Sequence, residues 1–149
     1  MITNMENIKN LIDNKGVKPT YHRIKILEYL QDNMNHPTVD KIYEDIVKSI
    51  PTISKTTVYN TLKIFTEKEI ILELTITGNE THFEMNDDGN PHHHFYCTDC
   101  KTIYDLESEC DYNCNTKTDI EGNKVQSYQC YYRGICKECL SKNNPEIIN

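Results

Sequence analysis

Two Cys-x-x-Cys pairs, Cys97/Cys100 and Cys136/Cys139, constrain this chain more than any other feature of its sequence. The two-residue spacing lets two thiolates bind one ion from a tight turn, and four thiolates make a tetrahedral zinc site. Seven cysteines cannot all pair as disulfides within one chain. A thioredoxin-like redox pair needs only one such motif, after a strand of a βαβ unit. We therefore predict structural zinc on these four cysteines, closing a small domain.

The composition indicates a soluble globular protein, with 26% charged and 37% hydrophobic residues. No apolar run approaches the ~20 residues that span a bilayer, and the N-terminus lacks the pattern of a signal peptide. We therefore expect a cytoplasmic protein that makes no membrane contact. A reducing compartment favours metal binding over disulfides for paired Cys-x-x-Cys motifs.

The first 85 residues carry helical periodicity punctuated by N-capping residues. Apolar spacing predicts a short helix over 5–15 with Met5, Ile8, Leu11 and Ile12 on one face, stopped by Gly16. Capping residues predict three more helices: Thr20 before a helix to about Gln31, Thr38 before Val39–Ser49, and Ser54 before a helix to about Glu67.

The segments 70–77 and 81–85, joined through Gly78-Asn79, predict a hairpin. Helices at 39–49 and 54–67 with a short turn suit a helix-turn-helix, and a following hairpin makes it a winged helix. The first turns of the last helix present side chains that bond phosphates and base edges: Lys55, Thr56, Thr57, Tyr59 and Asn60. A small helical bundle with a polar outer helix would show the same pattern.

The net charge of −7 argues against a strongly basic nucleic-acid binder. Residues 1–85 carry 10 Lys/Arg against 12 Asp/Glu, whereas residues 86–149 carry 6 against 11. Any DNA binding must therefore use a local basic face and few phosphate contacts.

The second half of the chain predicts a small α+β domain. Residues 86–91 are polar and turn-rich, so we place a linker there, between a DNA-binding domain at 1–85 and a second domain at 92–149. Strands are predicted at 93–97, 101–106 and 124–135, and a weak helix at 107–119. The fold class predicted for the whole chain is α+β.

Three consecutive histidines, His92-His93-His94, precede the first cysteine pair. On a strand, His92 and His94 point to one face and His93 to the other. Glu84 and Asp105 flank this stretch, and a mixed histidine and carboxylate set suits Fe(II), Mn(II) or Zn(II). The pattern predicts a second metal site, although a polar strand end would look similar.

The chain resembles the ferric uptake regulator family of metal-dependent repressors, over roughly residues 8–140. The resemblance is carried by His36-Pro37-Thr38, by the 57–62 segment Thr-Val-Tyr-Asn-Thr-Leu, by the His92-to-Cys100 run, by Asp105 and by Cys136-x-x-Cys139. It implies a winged-helix head, an α/β dimerisation domain and a homodimer on a palindromic operator in double-stranded DNA. It also implies zinc on the four cysteines and a regulatory ion on His36, Glu84, His92, His94 and Asp105.

Within the family, the chain is most similar to the peroxide-sensing type, called PerR. There the regulatory ion is Fe(II) or Mn(II), and peroxide at bound iron oxidises histidine ligands; His36 and His92 would be the targets. Asp105 matches that type, whereas Glu84 stands where peroxide sensors usually carry Asp. The alternative is therefore an iron-level or zinc-level repressor of the Fur or Zur type.

The resemblance also implies DNA contacts, and a departure from the family pattern argues against a third metal site. Arg23 and Lys55 would contact phosphates, and Tyr59 the backbone or a thymine methyl. Some members have a third metal site that uses a downstream histidine, but this chain has none after His94.

Two other classes compete with a repressor. A zinc hydrolase would need an open metal position and a general base, and no His-Glu-x-x-His motif is present, so we predict that the chain is not an enzyme. A thiol redox switch could use Cys110, Cys114 and Cys130, since Cys110 and Cys114 share a face if 107–119 is helical. These thiols are otherwise buried or incidental.

Overall fold

The computed structural model describes residues 4–76, 78, 80–86, 92–106, 119–125 and 131–143. The chain forms two compact units, residues 1–87 and residues 88–149. The fold is α+β, as predicted, with four helices and a hairpin in the first unit and a small sheet in the second. No helix in the described part of the chain is long and apolar enough to cross a membrane.

The helices of the first unit are α1 (Asn4–Asn14), α2 (Tyr21–Asp32), α3 (Val39–Ser49) and α4 (Lys55–Glu67). The three predicted N-caps are confirmed, since the side chains of Thr20, Thr38 and Ser54 each accept the backbone N–H three residues on. These bonds satisfy amides that a helix leaves without partners in its first turn. Gly16 follows α1 with a φ of +72°, a conformation that glycine adopts at no steric cost.

The apolar faces of the helices form one core. Its fully buried members come from every helix and include Ile12, Leu27, Ile42, Leu62 and Phe65. The predicted inner face of α1 is wrong at Met5, which is 44% exposed because it lies in the first turn, beyond the reach of the core.

The hairpin consists of β1 (Ile71–Leu74) and β2 (His82–Met85), paired antiparallel with Ile71 opposite Met85 and Leu74 opposite His82. Both strands are shorter than the sequence predicted. Strand β2 also holds the segment between α2 and α3: the Phe83 N–H donates to the Pro37 carbonyl over 3.0 Å, and Thr38 forms a bridge with His82. Helices followed by this hairpin give the predicted winged-helix order.

The second unit contains a three-stranded sheet of order β4-β3-β7. Strand β3 (His93–Cys97) pairs antiparallel with β4 (Ile103–Leu106) and parallel with β7 (Tyr131–Gly134). Strands β5 (Asp119–Ile120) and β6 (Asn123–Lys124) form a separate hairpin, and helix α5 spans Lys137–Asn143.

The predicted long strand at 124–135 is wrong in its extent. Lys124 ends β6, and only Tyr131–Gly134 forms the later strand, with residues 126–130 outside the described part. Glu121 and Gly122 have φ angles of 52° and 81°, which is the geometry of a two-residue hairpin turn. That turn pairs residue 124 with Asp119, so the predicted helix is also wrong at residue 119. Residues 107–118, where the rest of that helix was predicted, lie outside the described residues.

Candidate metal centres

The four predicted zinc ligands lie together in the second unit. Cys97 ends β3, Cys100 follows in a turn, Cys136 precedes α5, and Cys139 lies in its first turn. Their Sγ atoms all lie within 4.8 Å of one another. The Cys100 and Cys136 sulfurs are 3.8 Å apart, well beyond the ~2.05 Å of a disulfide. Two thiolates of a tetrahedral site with Zn–S of ~2.3 Å are separated by ~3.8 Å, so the cluster fits zinc.

The parallel pairing of β3 with β7 brings the two cysteine pairs together. Cys97 lies opposite Gly134, and Gly134 accepts a hydrogen bond of 2.7 Å from the Thr98 N–H. A Cβ at Gly134 would come within 3.3 Å of the Phe95 ring, so glycine lets the strands meet closely. Two residues later the Cys136 N–H donates to the Cys97 sulfur over 3.3 Å. Backbone pairing therefore sets the second cysteine pair beside the first.

The thiols differ in acidity. Hydrogen bonds from Thr102, first from its side chain and then from its N–H, lower the pKa of Cys100 to about 6. Burial opposes ionisation of Cys97, but the N–H groups of Cys136, Cys100 and Asp99 outweigh it and lower its pKa. The Cys139 thiol bonds to Cys136 beside other sulfurs, which raises its pKa to about 12. Without a cation the cluster therefore disfavours four thiolates, and the charge of a zinc ion would remove that penalty.

Tyr104 is a member of this centre that sequence reasoning missed. Its hydroxyl donates to the Cys136 sulfur over 3.4 Å and lies 3.8 Å from the Cys100 sulfur. The bond to Cys136 is the first cause that raises the pKa of Tyr104. Only its place in β4, one residue before Asp105, could have drawn attention to it.

A second cluster in the same unit joins His92, His94 and Asp105. The Asp105 Oδ1 atom lies 3.2 Å from His92 Nε2 and 3.5 Å from His94 Nε2. Register explains the meeting, because His94 lies directly opposite Asp105 in the β3–β4 pair. His94 is 6% exposed, and the His92 and His94 rings are 4.7 Å apart between centroids. The prediction that His92 and His94 share a face is confirmed.

The remaining predicted ligands, His36 and Glu84, meet in the first unit. His36 Nε2 lies 3.1 Å from Glu84 Oε2, and His36 is 4% exposed. His36 has a φ of 51°, in the left-handed region that few non-glycine residues adopt. The position of Glu84 beside the histidine stretch had already indicated that residue. Chain spacing gives no signal for His36, to which only the His36-Pro37-Thr38 motif of the family resemblance pointed.

The donor atoms of both clusters fit a metal ion. Two ligands, each ~2.1 Å from an ion, lie ~3.0 to ~3.5 Å apart at octahedral or tetrahedral angles, and the observed separations run from 3.1 to 3.5 Å. Imidazole and carboxylate donors suit Fe(II), Mn(II) and Zn(II). The binding of one ion by all five residues stays a prediction.

The predicted DNA contacts other than Arg23 lie at the start of α4. Lys55, Thr56, Tyr59 and Asn60 are exposed, and Tyr59 is 56% exposed. Thr57 is partly exposed, and its hydroxyl hydrogen-bonds to the capping Ser54. Lys55 forms an ion pair with Asp40 of α3. Arg23 donates to the Lys18 carbonyl over 2.9 Å, which ties it to the loop before α2.

Comparison with known proteins decides the family. Residues 14–133 match the model of the Ferric uptake regulator family. The chain belongs to the ferric uptake regulator family. It is 35% identical to the "Peroxide operon regulator" of Bacillus subtilis (strain 168) over 130 residues, covering 87% of this chain and 88% of that protein.

Other members of the ferric uptake regulator family agree with this assignment. The chain is 34% identical over 131 residues to the "Peroxide-responsive repressor PerR" of Staphylococcus aureus (strain USA300), covering 85% of each chain. Among solved structures, the Francisella tularensis ferric uptake regulator with iron has a TM-score of 0.68 at 27% identity, covering 84% of this chain and 96% of that one. The resemblance read from the motifs is confirmed.

Proposed function

We propose that this chain is a homodimeric, metal-dependent transcriptional repressor that releases double-stranded DNA when peroxide oxidises its histidine ligands. The observation that carries the proposal is the segregation of ligand types. Thiols form one cluster, whereas histidines and carboxylates form others. Four thiolates make a closed zinc site with no redox chemistry. Mixed nitrogen and oxygen donors suit Fe(II) or Mn(II), whose binding can respond to conditions in the cell.

We assign His36 and Glu84 of the first unit and His92, His94 and Asp105 of the second to one regulatory ion. An ion shared by the two units would fix the angle between the DNA-binding head and the dimerisation half. Two heads set one helical turn apart can engage a palindromic operator, whereas loosely tethered heads cannot. Metal binding would then shift the population towards the DNA-competent arrangement.

The proposed signal is peroxide, which would act on the histidine ligands. Iron held by these residues would supply the redox chemistry that activates peroxide. Peroxide would be the two-electron oxidant: one of its oxygen atoms would be added to a neighbouring imidazole, and the other would leave as water. His36 and His92 are the proposed targets, and each oxidised ring would hold the ion less well, so the heads would come loose. The support is Asp105, which accompanies both histidines of its cluster, and the likeness to relatives named as peroxide regulators.

The second candidate is an iron-level or zinc-level repressor with the same architecture. It is favoured by Glu84, which contacts His36 where the resemblance implies an aspartate in peroxide sensors. In either case the protein would act on DNA in the cytoplasm as a regulator and not as an enzyme.

The proposed DNA interface is the start of α4, with Lys55, Thr56, Thr57, Tyr59, Asn60 and the more distant Arg23. Lys55 would exchange its Asp40 partner for a phosphate. Because the chain carries a net charge of −7, few phosphate contacts are expected. Each contact contributes roughly −0.9 to the slope of log affinity against log salt. Lys55→Ala removes one contact from each subunit, so it should make the slope for the dimer shallower by about 1.8, whereas Lys63→Ala, further along α4, should leave it unchanged.

The deciding experiment measures operator binding by Fe(II)-loaded protein, prepared without oxygen, before and after a small dose of hydrogen peroxide. Release of DNA by the iron form but not by a Mn(II)-loaded control, with one oxygen gained at His36 or His92, supports peroxide sensing. If the iron form stays bound and unmodified while a chelator releases DNA, the protein senses metal level. As a control, His93→Ala should respond to peroxide as the wild type does, because His93 points to the other face of β3.

A further inference from the structure

We propose that His82 is a positioning residue for His36, holding its backbone so that its imidazole stays beside Glu84. The inference rests on the proposed function in one respect, since it takes His36 to be a metal ligand. His82 is not among the predicted ligands, and it lies on β2, two residues before Glu84.

The contact that carries the inference joins the His82 ring to the backbone of His36. His82 Nδ1 lies 2.7 Å from the His36 carbonyl oxygen. A carbonyl oxygen can only accept, so this bond requires a proton on Nδ1, which in a neutral ring is the Nδ1–H tautomer. His82 Nε2 is buried and has no hydrogen-bond partner among the residues that the structure describes. Among the described residues, therefore, no acceptor near Nε2 competes with the His36 carbonyl for the ring proton.

Residue 36 needs a stabilising contact of this kind because its backbone conformation is unfavourable. Its φ of 51° lies in the left-handed region, where a Cβ crowds the following carbonyl. Pro37 follows it, and the residue before a proline prefers an extended conformation. Conformations of this kind persist where the surrounding structure determines them and are common at functional sites.

Strand β2 supplies that surrounding structure. Its Phe83 N–H donates to the Pro37 carbonyl over 3.0 Å, and His82 forms a backbone bridge with Thr38. These bonds fix the backbone of residues 37 and 38. The His82 ring bonds to the carbonyl of residue 36 itself. Alternate residues of a strand share a face, so His82 and Glu84 project from the same side of β2. One strand thus holds both the backbone of His36 and, over 3.1 Å, its imidazole.

A contact of this kind affects metal binding without touching the metal. Partners that orient metal ligands typically change affinity by about 10- to 100-fold when they are lost. A shifted carbonyl at residue 36 would rotate the imidazole away from Glu84, and the two donors would no longer face one ion.

The test uses two amides that imitate different nitrogens of the ring. In full-length, zinc-loaded protein, His82→Asn places an amide N–H near the position of Nδ1, whereas His82→Gln places it near Nε2. Mn(II) affinity measured by titration should fall about tenfold in His82→Gln and stay within about threefold of wild type in His82→Asn. Equal affinities for the two variants, or a weaker Asn variant, would overturn the proposal.

A second readout needs no regulatory metal. Ring-nitrogen NMR of the zinc-loaded protein without manganese should show His82 as the Nδ1–H tautomer, and an Nε2–H tautomer would overturn the proposed bond. His36→Ala separates the two proposals. If it leaves Mn(II) affinity unchanged, the assignment of His36 as a ligand fails, whereas the tautomer still decides whether His82 holds residue 36.

Discussion

The two units of this protein hold themselves together by different means. The first packs apolar side chains from four helices and a hairpin into one core, with Phe65 and Leu62 fully buried. In the described part of the second, the buried apolar side chains are few: Tyr96, Cys97, Ile103 and Cys136. Two of these four are predicted zinc ligands. The first unit is therefore stabilised mainly by the burial of apolar area, whereas in the described part of the second unit the thiol cluster supplies half of the buried apolar side chains.

The difference indicates that a metal ion can be needed for folding in the second unit and can act as a regulatory signal in the first. A small domain with little core commonly relies on a structural metal for its stability. A head with a complete core does not need a metal to fold. An ion bound by His36 and Glu84 would therefore regulate the proposed DNA binding of the first unit and would not be needed for its folding.

Loss of the zinc site should have the largest effect. Cys136→Ser removes a buried ligand, and structural zinc contributes on the order of 10 kcal/mol in small metal-dependent domains. We expect the amide NMR signals of residues 131–143 to lose their dispersion while those of α2–α4 keep theirs. Cys110→Ser, outside the four-cysteine set, is the matched control. If the second unit stays folded in Cys136→Ser, its stability does not depend on the thiol cluster.

A cavity in the helical core should have the converse effect. Phe65 is 0% exposed, so Phe65→Ala should lower the free energy of unfolding of the first unit by about 3–5 kcal/mol. Tyr59→Ala, on the same helix but 56% exposed, should change it by less than about 0.5 kcal/mol. Denaturant unfolding followed by helical circular dichroism checks both. Zinc content should stay the same in both variants, and its loss in Phe65→Ala would show that the units are not independent.

The Tyr104 hydroxyl should have a smaller effect, confined to the zinc site. Tyr104→Phe removes only the donor to the Cys136 sulfur. We expect zinc affinity to fall about tenfold, or ~1.4 kcal/mol, in competition with a chelator. Tyr131→Phe, on an exposed residue of the same sheet, is the control. Equal affinities for Tyr104→Phe and wild type would mean that the hydroxyl does not stabilise the zinc-bound thiolate.

The smallest effect should come from Asp45, which links α3 to α2. Hydrogen bonds from Lys48, Tyr29 and Lys41 hold the pKa of its carboxyl well below the usual 3.8. A carboxyl with a lowered pKa stabilises the folded state above its unfolded pKa, and this stabilisation is lost as pH falls below 3.8. Asp45→Asn should therefore melt slightly below wild type at about pH 6, and the difference should shrink at about pH 3. A difference that grows in acid would contradict this sign.

Much of the first unit could be predicted because its signals are local. Three helices begin after the predicted caps, and the bounds of α3 and the end of α4 agree with the prediction. A cap bonds three residues ahead and an apolar face repeats within each turn, so both are visible in a short window of sequence. The strands were less well predicted, since Val125 and Ile135, inside the strand expected over 124–135, lie in no strand. Strand ends depend on the partner strand, which a local window does not contain.

The candidate metal centres show the same division between what local sequence predicts and what strand pairing decides. The two Cys-x-x-Cys spacings predicted a thiol cluster directly, and the alternation of His92 and His94 predicted a shared face. Which residues complete each centre depended on strand register: Cys97 opposite Gly134 brings Cys136 close, and His94 opposite Asp105 brings the carboxylate.

By itself, the sequence determined the capped helices, the cluster of four cysteines and the membership of the ferric uptake regulator family. The tertiary structure alone decided that β2 holds residue 36, with Glu84 at its imidazole and His82 at its carbonyl. His36 and His82 are 46 residues apart. Such a contact has no period and no spacing to reveal it, because it exists only once the core of the first unit has brought β2 against the segment between α2 and α3.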